Sequence, residues 1–485
     1  VRPAAWTADG LDLAALFAQH GDRPAILQGG GGLSWHTLGA RVGAVAAGLR
    51  ALGIREGQRV GFLAQNRPAH FITLLACWAC GGVFVPLNWK APAAAASEGL
   101  PLDLLVADGP PDAAAARRSI ALAALCNDGA EDNSGQPLPV VPLGREAAII
   151  FTSGSSGPPK GVVHTIAGFL HSADGTVRFY GMQPHDTWLV SLPLFHVGGL
   201  LVFVRCLLSG AAAVFPPSLQ AIGEALVSHR PTFVSLVPTQ LVRLLKDPHA
   251  RAALRECKAV LVGGAAPAAA LMGQCRDMRI PVSPTYGATE ACSQITAVAP
   301  DAPRADLATA GRPLPHRRVR LDAAGRIEIG GDTLLSHYLT AGGALRPVKN
   351  GWLQMPDTGR WDERGNLVVR GRSDLIFQAG GENINPEEIE GHLLALPEVL
   401  AAVVVPVPHR EFGQVPWALV ATSGPLDAAR LTGALKKKVA GFKVPKRFLP
   451  LAAAGCQGTG KPDRNALTRW AERMAAADDT LRDKP

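Results

Sequence analysis

Short runs of β-branched and aliphatic residues alternate with helical patterns along most of this chain, and that alternation restricts it to a layered α/β fold. "LSWHTLGARVGAVAAGLRALGI" has the spacing of an amphipathic helix, and "RVGFLA" after it has the character of a strand. "LACWACGGVFVPL" repeats the helix-to-strand step. "AAAVF", "FVSLVP" and "AVLVGG" are continuous apolar runs between helical stretches, the pattern of strands buried on both faces of a parallel sheet. Residues 91–145 are richer in Ala, Pro and Asp, with a weak strand at "LDLLVAD" and a surface loop at "GAEDNSGQPLP".

The character changes after Arg370. "NINPEEIEGHLLALPEV" predicts a helix start, with Asn385 as N-cap, Pro386 at the first helical position and Glu388 closing a capping-box pair. Strands at "LAAVVVPV" and "PWALVAT", then a helix around 426–440, complete a small α+β unit. With 485 residues the chain is long enough for two domains. We expect a large N-terminal domain over 1–371 and a smaller C-terminal one over 372–485.

The net charge of +8 comes from scattered Lys and Arg, and the compact run Lys436-Lys437-Lys438 reads as a solvated surface rather than a nucleic-acid site. The eight cysteines are too dispersed for a disulfide scaffold. Cys77 and Cys80 form a C-x-x-C, but they lie in an apolar helical run with no second ligand pair, which predicts buried thiols rather than a redox or zinc pair. The start of the chain lacks a basic segment followed by an apolar core and cleavage site. Gly81, Gly82 and Pro86 break one apolar stretch, and Arg205 interrupts the other, "GLLVFVRCLLSGAAAVF". A cytoplasmic protein without stable membrane insertion is expected. Its oligomeric state stays open, a homodimer included.

"FTSGSSGPPKG" (151–161) carries the first chemical signal. Its spacing from Gly154 to Lys160 equals that of the phosphate loop Gly-x-x-x-x-Gly-Lys-Ser/Thr. Yet Pro159 replaces the last glycine and Gly161 the hydroxyl residue. Two prolines make a poor helix entry, and "KGVVHT" reads as extended. The hydroxyls of Thr152, Ser153, Ser155 and Ser156, with the backbone N–H groups of Gly154 and Gly157, suit a polyphosphate. A plain Ser/Gly turn accounts for the loop equally well when it is taken alone. It is followed by "PTYGATEACSQI" (284–295), by "GWLQMPDTGRWDERGNLVVRGRSD", and by "GTGKPDR" near the C-terminus.

In this order and spacing, the motifs resemble those of the acyl-adenylate-forming superfamily, which contains acyl- and aryl-CoA synthetases, luciferases and the adenylation domains of peptide synthetases. The resemblance extends to about residue 470. It is closest to the o-succinylbenzoate–CoA ligases of menaquinone biosynthesis, on "LPLFHVGGL", "SLVPTQLVRLL", "YGATEACSQI" and "GGENINPEEIE". It implies layered α/β subdomains with a small mobile α+β C-terminal domain. It also implies ATP, Mg²⁺ and coenzyme A as cofactors, with a small carboxylic acid as substrate. A CoA ligase for another aryl or medium-chain acid, an adenylation protein charging a carrier-protein thiol, and a non-enzymatic phosphate-binding homologue are the other readings.

The resemblance also assigns roles. Residues 152–160 hold the β- and γ-phosphates, with Lys160 as counter-charge. Thr289 donates to the α-phosphate and Glu290 carries Mg²⁺. Tyr286 stacks on adenine, Gly263, Gly264 and Ala265 flank the purine, and Gly287 belongs to the same nucleotide motif. Asp357 accepts the ribose hydroxyls and Arg372 adds a ribose or phosphate contact. Met355-Pro356 stand where the family has Thr-Gly, and Asp362 is the rival carboxylate. Lys461 bridges the substrate carboxylate and the α-phosphate. His196 and Val197 line the acyl pocket. Lys90, where the family often has arginine, joins them; it keeps the charge and loses the planar fork. The hinge about which the small domain turns is Asp374 or its neighbour Ser373, with the motif spacing favouring Asp374, and the turn brings Gly380, Gly381 and Glu382 to the thiol channel. Core or solvated positions remain the alternative for Tyr286, His196, Glu290 and Lys461 taken singly.

Overall fold

The computed structural model describes residues 3–90, 100–108, 116–125, 138–152, 160–340, 342–454 and 463–477. Two large sheets dominate the part before Arg372. In one, eight strands run in the order Gly343–Leu345, His337–Thr340, Lys160–Thr165, Glu146–Thr152, Val83–Pro86, Arg59–Leu63, Leu104–Ala107, Ser119–Ala121. Its middle, around Arg59–Leu63, is parallel, as continuous apolar runs predict. Its other half, from Glu146–Thr152 outward, is antiparallel.

The second sheet has nine strands, in the order Arg312–Pro313, Ser293–Ala297, Val282–Ala288, Ala259–Val262, Phe233–Leu236, Thr187–Leu189, Ala212–Phe215, Pro24–Gln28, Gly31–Ser34. It is parallel from Pro24–Gln28 to Val282–Ala288. Beyond that strand the chain reverses and pairs antiparallel.

The helices Ala69–Cys80 and Val197–Ser209 are buried on nearly every side, as apolar composition all round a helix requires. They meet at Phe71 and Phe203, whose rings stack with centroids 4.2 Å apart. One apolar core joins them to both sheets: Val60, Phe84 and Ile150 come from the first, Ile26, Trp188 and Phe233 from the second. Cys77 and Cys80 lie in this setting as free thiols, and burial raises the pKa of each. No helix among the described residues is long and apolar enough to cross a membrane.

A four-stranded antiparallel sheet, Arg317–Leu321, Arg326–Gly331, Trp352–Trp361 and Leu367–Arg372, follows. After Arg372 come the hairpin Phe377–Ala379/Glu382–Ile384, the helix Pro386–Leu394 and a three-stranded sheet of Val399–His409, Gly413–Thr422 and Arg447–Pro450. These elements have apolar cores of their own, one around Ile384, Ile389, Val404 and Leu431, the other around Val405, Trp417, Leu419 and Leu467. The helix expected around 426–440 is Ala428–Lys436, and Lys436, Lys437 and Lys438 are exposed at its C-terminal end, where cations suit the helix dipole. At the start of Pro386–Leu394, the Asn385 side chain accepts from the Glu387 N–H as the sequence predicts. The capping-box role of Glu388 is corrected: both its carboxylate oxygens accept from Lys443 Nζ, at 3.0 and 2.7 Å. A full charge pair across the domain outbids a neutral backbone donor for the same carboxylate.

Glu390 is buried at 8% exposure, accepts from the Val404 N–H at 2.6 Å, and takes Arg464 Nη2 at 2.9 Å. Burial raises its pKa and Arg464 works against that rise. Arg464→Met is expected to leave a buried carboxylate unpaired and to destabilise the last helix and its sheet by about 3–5 kcal/mol. Urea unfolding followed through tryptophan fluorescence and circular dichroism checks this, and an unchanged midpoint contradicts it.

Candidate active site

The strand Val282–Ala288 leaves the parallel sheet carrying Tyr286 and Gly287. A single 3-10 turn, Thr289–Ala291, reverses the chain, and Ser293–Ala297 returns beside it. The reversal is tight. Cys292 and Ser293 have φ of 55° and 93°, a costly region for residues with a Cβ. A Cβ on Gly287 would lie 2.3 Å from the Ser293 carbonyl oxygen, so no other residue fits there. Thr289 and Glu290 therefore sit at the tip of a hairpin.

The first sheet supplies the groups that hold this tip. His164, from Lys160–Thr165, donates from Nε2 to the Thr289 carbonyl at 2.7 Å. Burial lowers its pKa to about 4, so the ring is a neutral donor at pH 7. Tyr338, opposite Val162 in the ladder, donates its hydroxyl to Glu290 Oε1 at 3.0 Å. Lys160 Nζ lies 5.5 Å from the Tyr338 ring centroid. Lys160, Tyr338 and Glu290 are thus one cluster: a cation, a phenol and a half-buried carboxylate. The carboxylate is a hard oxygen donor of the kind Mg²⁺ takes.

A second cluster adjoins it. The Tyr286 hydroxyl donates to Asp357 Oδ2 at 2.8 Å. Burial first, then the negative charges of Asp357 and Glu290, push the Tyr286 pKa well up and keep it a donor. Asp357 faces Arg372 across the antiparallel ladder. Arg372 donates from Nε and Nη2 to Asp374, at 2.8 and 2.6 Å, and its backbone N–H donates to Glu387. Gly263 and Gly264 follow Ala259–Val262, the neighbouring strand. A Cβ on Gly263 would meet Thr285 Oγ1 at 2.5 Å, and Gly264 has φ of 79°. Ala265 is exposed beside them. Asp362, the rival carboxylate, is spent on its own turn, accepting from the N–H groups of Arg364 and Asn366 at 3.0 and 2.7 Å.

Thr152 pairs with Lys160 at the mouth of their hairpin, while Ser153, Gly154, Ser155, Ser156 and Gly157 lie outside the described residues, as does Lys461. His196 is exposed just before the helix Val197–Ser209, and Val197 is buried. Asn66 fixes the approach to it, donating to the Leu192 carbonyl at 2.8 Å and accepting from the Leu194 N–H at 3.0 Å. Lys90 is exposed with its Nζ 5.5 Å from the Trp89 ring, and among the described residues no hydrogen bond or ion pair joins it to His196. Gly380 and Gly381 form the tip of the hairpin before Glu382 with φ of 58° and 87°, which glycine adopts without strain.

Sequence reasoning missed Tyr338, His164 and Arg205. Arg205 is fully buried, donates from Nη2 to Ser293 Oγ at 3.1 Å, and lies 4.9 Å from the Trp188 ring centroid. Among the described residues its Nε has no hydrogen-bond partner and no carboxylate pairs with it. The signal was available: one charge in an otherwise apolar helix is a misfit that calls for a partner.

A family model described as AMP-binding enzyme matches residues 13–339, and one described as AMP-binding enzyme C-terminal domain matches 388–461. The chain is 33% identical to the 2-succinylbenzoate–CoA ligase of Bacillus licheniformis, over 88% of this chain and 92% of that one. An E. coli MenE structure with bound OSB-AMS superposes with a TM-score of 0.81 at 32% identity, covering 95% of this chain and 98% of that one. The o-succinylbenzoate coenzyme A synthetase of Bacillus subtilis in complex with ATP and magnesium ion gives 0.80 at 28% identity, covering 91% and 95%.

His164 titrates near 6.5 when unfolded and near 4 when folded. Between those values the unfolded chain binds a proton that the folded chain refuses. Stability is therefore flat from this source above pH 6.5 and falls as pH drops, by about 3 kcal/mol at pH 4. His70, lowered to about 3 by burial, acts in the same direction. Urea midpoints between pH 4 and 7 are expected to fall less steeply in His164→Gln than in the parent; parallel slopes would contradict the assignment.

Proposed function

The chain belongs to the AMP-binding enzyme family, and on that premise we propose that it is an ATP-dependent ligase joining o-succinylbenzoate to coenzyme A. A carboxylate oxygen attacks the α-phosphorus of ATP, the bond to pyrophosphate breaks, and an acyl-adenylate forms. The CoA thiol then loses its proton and attacks the acyl carbon, and AMP leaves. The observation that carries this reading is the adjacency of the two clusters around one hairpin. Lys160, Tyr338 and Glu290 suit a polyphosphate, and Tyr286, Asp357 and Arg372 suit a nucleoside.

Glu290 would hold Mg²⁺, which neutralises charge on the departing pyrophosphate, and Tyr338 keeps that carboxylate oriented. Lys160 and the 152–157 hydroxyls and N–H groups take the β- and γ-phosphates. Thr289 donates to the α-phosphate, Asp357 accepts from the ribose, and Lys461 stabilises charge at the reacting phosphorus. Rotation about Asp374 then brings Gly380, Gly381 and Glu382 to the thiol. The described cysteines are free thiols, in keeping with a cytoplasmic enzyme acting on small molecules.

Arg205 supports the dicarboxylic substrate. Burial lowers its pKa to about 10, so it stays charged at pH 7 inside an apolar helix. A buried cation without a counter-anion costs several kcal/mol. o-Succinylbenzoate brings two carboxylates: one is activated, and the other answers Arg205. A monocarboxylic acid leaves that cation bare.

In a thioester assay with ATP, Mg²⁺ and CoA, o-succinylbenzoate is expected to be turned over and fatty acids are not; the opposite pattern removes the substrate assignment. Arg205→Met is expected to lower kcat/KM for o-succinylbenzoate by about 10²-fold or more while changing that for benzoate little. Equal losses would exclude a carboxylate role. Lys461→Ala is expected to lower adenylate formation by about 10³-fold and to leave thioester formation from supplied acyl-adenylate largely intact. Equal loss of both half-reactions would argue against domain alternation.

A further inference from the structure

We propose that His171, His316 and Asp332 form a binding site for one zinc-class divalent cation, built from residues that the ligase chemistry does not use. One potential ligand atom from each lies within 4.8 Å of the others. His171 stands on the helix Ile166–Tyr180, one turn before Asp174. His316 and Asp332 flank the ladder in which Arg317 pairs with Gly331, and the Asp332 N–H donates to the His316 carbonyl at 3.0 Å. The backbone therefore delivers two ligands side by side before any ion arrives.

The hydrogen bonds of His316 set its chemistry. Its Nε2 donates to Asp174 Oδ2 at 2.7 Å. Asp174 is 2% exposed and its charge is already met by Arg178 Nε at 2.8 Å, so it acts as an acceptor that fixes the ring. A carboxylate on the far nitrogen of a histidine is the arrangement that orients metal-binding imidazoles. It leaves the lone pair on Nδ1, which faces Asp332 Oδ2 at 3.3 Å. A lone pair set against a carboxylate is repulsive unless a proton or a metal cation lies between them. A charge-assisted N–H···O bond would close to about 2.7–2.9 Å. Bonds of about 2.0–2.1 Å from a tetrahedral zinc place N and O about 3.3 Å apart. The 3.3 Å between His316 Nδ1 and Asp332 Oδ2 is longer than the charge-assisted bond and equals the spacing of two ligands on one ion.

His316 lies in the left-handed region, with φ of 68°, just before the ladder. Two imidazoles and one carboxylate match zinc in donor type, with a fourth position left for water. The ion would tie the helix that follows Lys160–Thr165 to the four-stranded sheet that carries Asp357.

The test is metal binding by the full chain, stripped with chelator and titrated with ZnCl₂ by calorimetry, with Co²⁺ absorption reporting the ligand geometry. One saturable site with Kd of about 10 µM or tighter is expected, with a rise in Tm on zinc addition. His316→Gln and Asp332→Asn should each weaken binding at least 100-fold, and Asp174→Asn about 10–100-fold. Asp332 is exposed, so its variant is expected to fold, and circular dichroism verifies this. Glu290→Gln should leave zinc affinity unchanged. Absence of saturable binding would overturn the proposal and leave His316 as a hydrogen-bonded bridge between the two aspartates. Binding that survives Asp332→Asn or disappears with Glu290→Gln would also overturn it.

Discussion

The site exists because a hairpin that belongs to one sheet is held by the other. Thr289 and Glu290 extend beyond the nine-stranded sheet, where a three-residue 3-10 turn has little to fix it. Hydrogen bonds from His164 and Tyr338, both on the eight-stranded sheet, fix the Thr289 carbonyl and the Glu290 carboxylate. Neither donor changes its protonation near neutral pH, because burial lowers the one pKa and raises the other. The clasp therefore keeps its geometry across the working range. The Tyr286–Asp357 cluster follows from it, since Tyr286 lies on the strand that enters the same hairpin.

What was legible in the sequence was local or periodic. Continuous apolar runs such as "AVLVGG" marked parallel strands, because burial on both faces leaves no alternation to hide them. Asn385 and Pro386 marked a helix start because a cap is settled within a few residues. Glu388 was misread for the opposite reason: its partner, Lys443, is distant in sequence. Tyr338 was invisible in the same way, since "HYLT" carries no motif and matters only after it pairs with Lys160–Thr165. The hairpin after Tyr286 escaped because its left-handed positions are Cys292 and Ser293 rather than the glycines that announce such turns. The strand that precedes the small hairpin runs Leu367–Arg372.

Charge inside the molecule is arranged unevenly. Asp186, Asp174 and Glu390 are buried, and each meets a cation. Arg317 is 6% exposed, yet it is satisfied by carbonyl oxygens of Gln294, Pro315 and Ser172 and by the Ser172 hydroxyl. It is a scaffold cation, locked by neutral dipoles behind the hairpin. Among the described residues Arg205 makes one such bond, to Ser293 Oγ, and its Nε has none. A cation fully solvated by protein has no use for a ligand, whereas one left with a bare N–H gains by binding one.

The junction between the two parts of the chain is itself electrostatic. Arg372, the last residue of its strand, grips Asp374 with two nitrogens and gives its backbone N–H to Glu387 of the next helix. If the small domain turns at this point, the turn strains contacts made by partly solvated charge. Such contacts weaken as counter-ions gather, over a Debye length of about 8 Å in physiological salt. The balance between the two orientations then becomes a property of the medium as well as of the protein. On that reading, added salt loosens the contacts at the pivot and leaves the apolar cores on either side untouched.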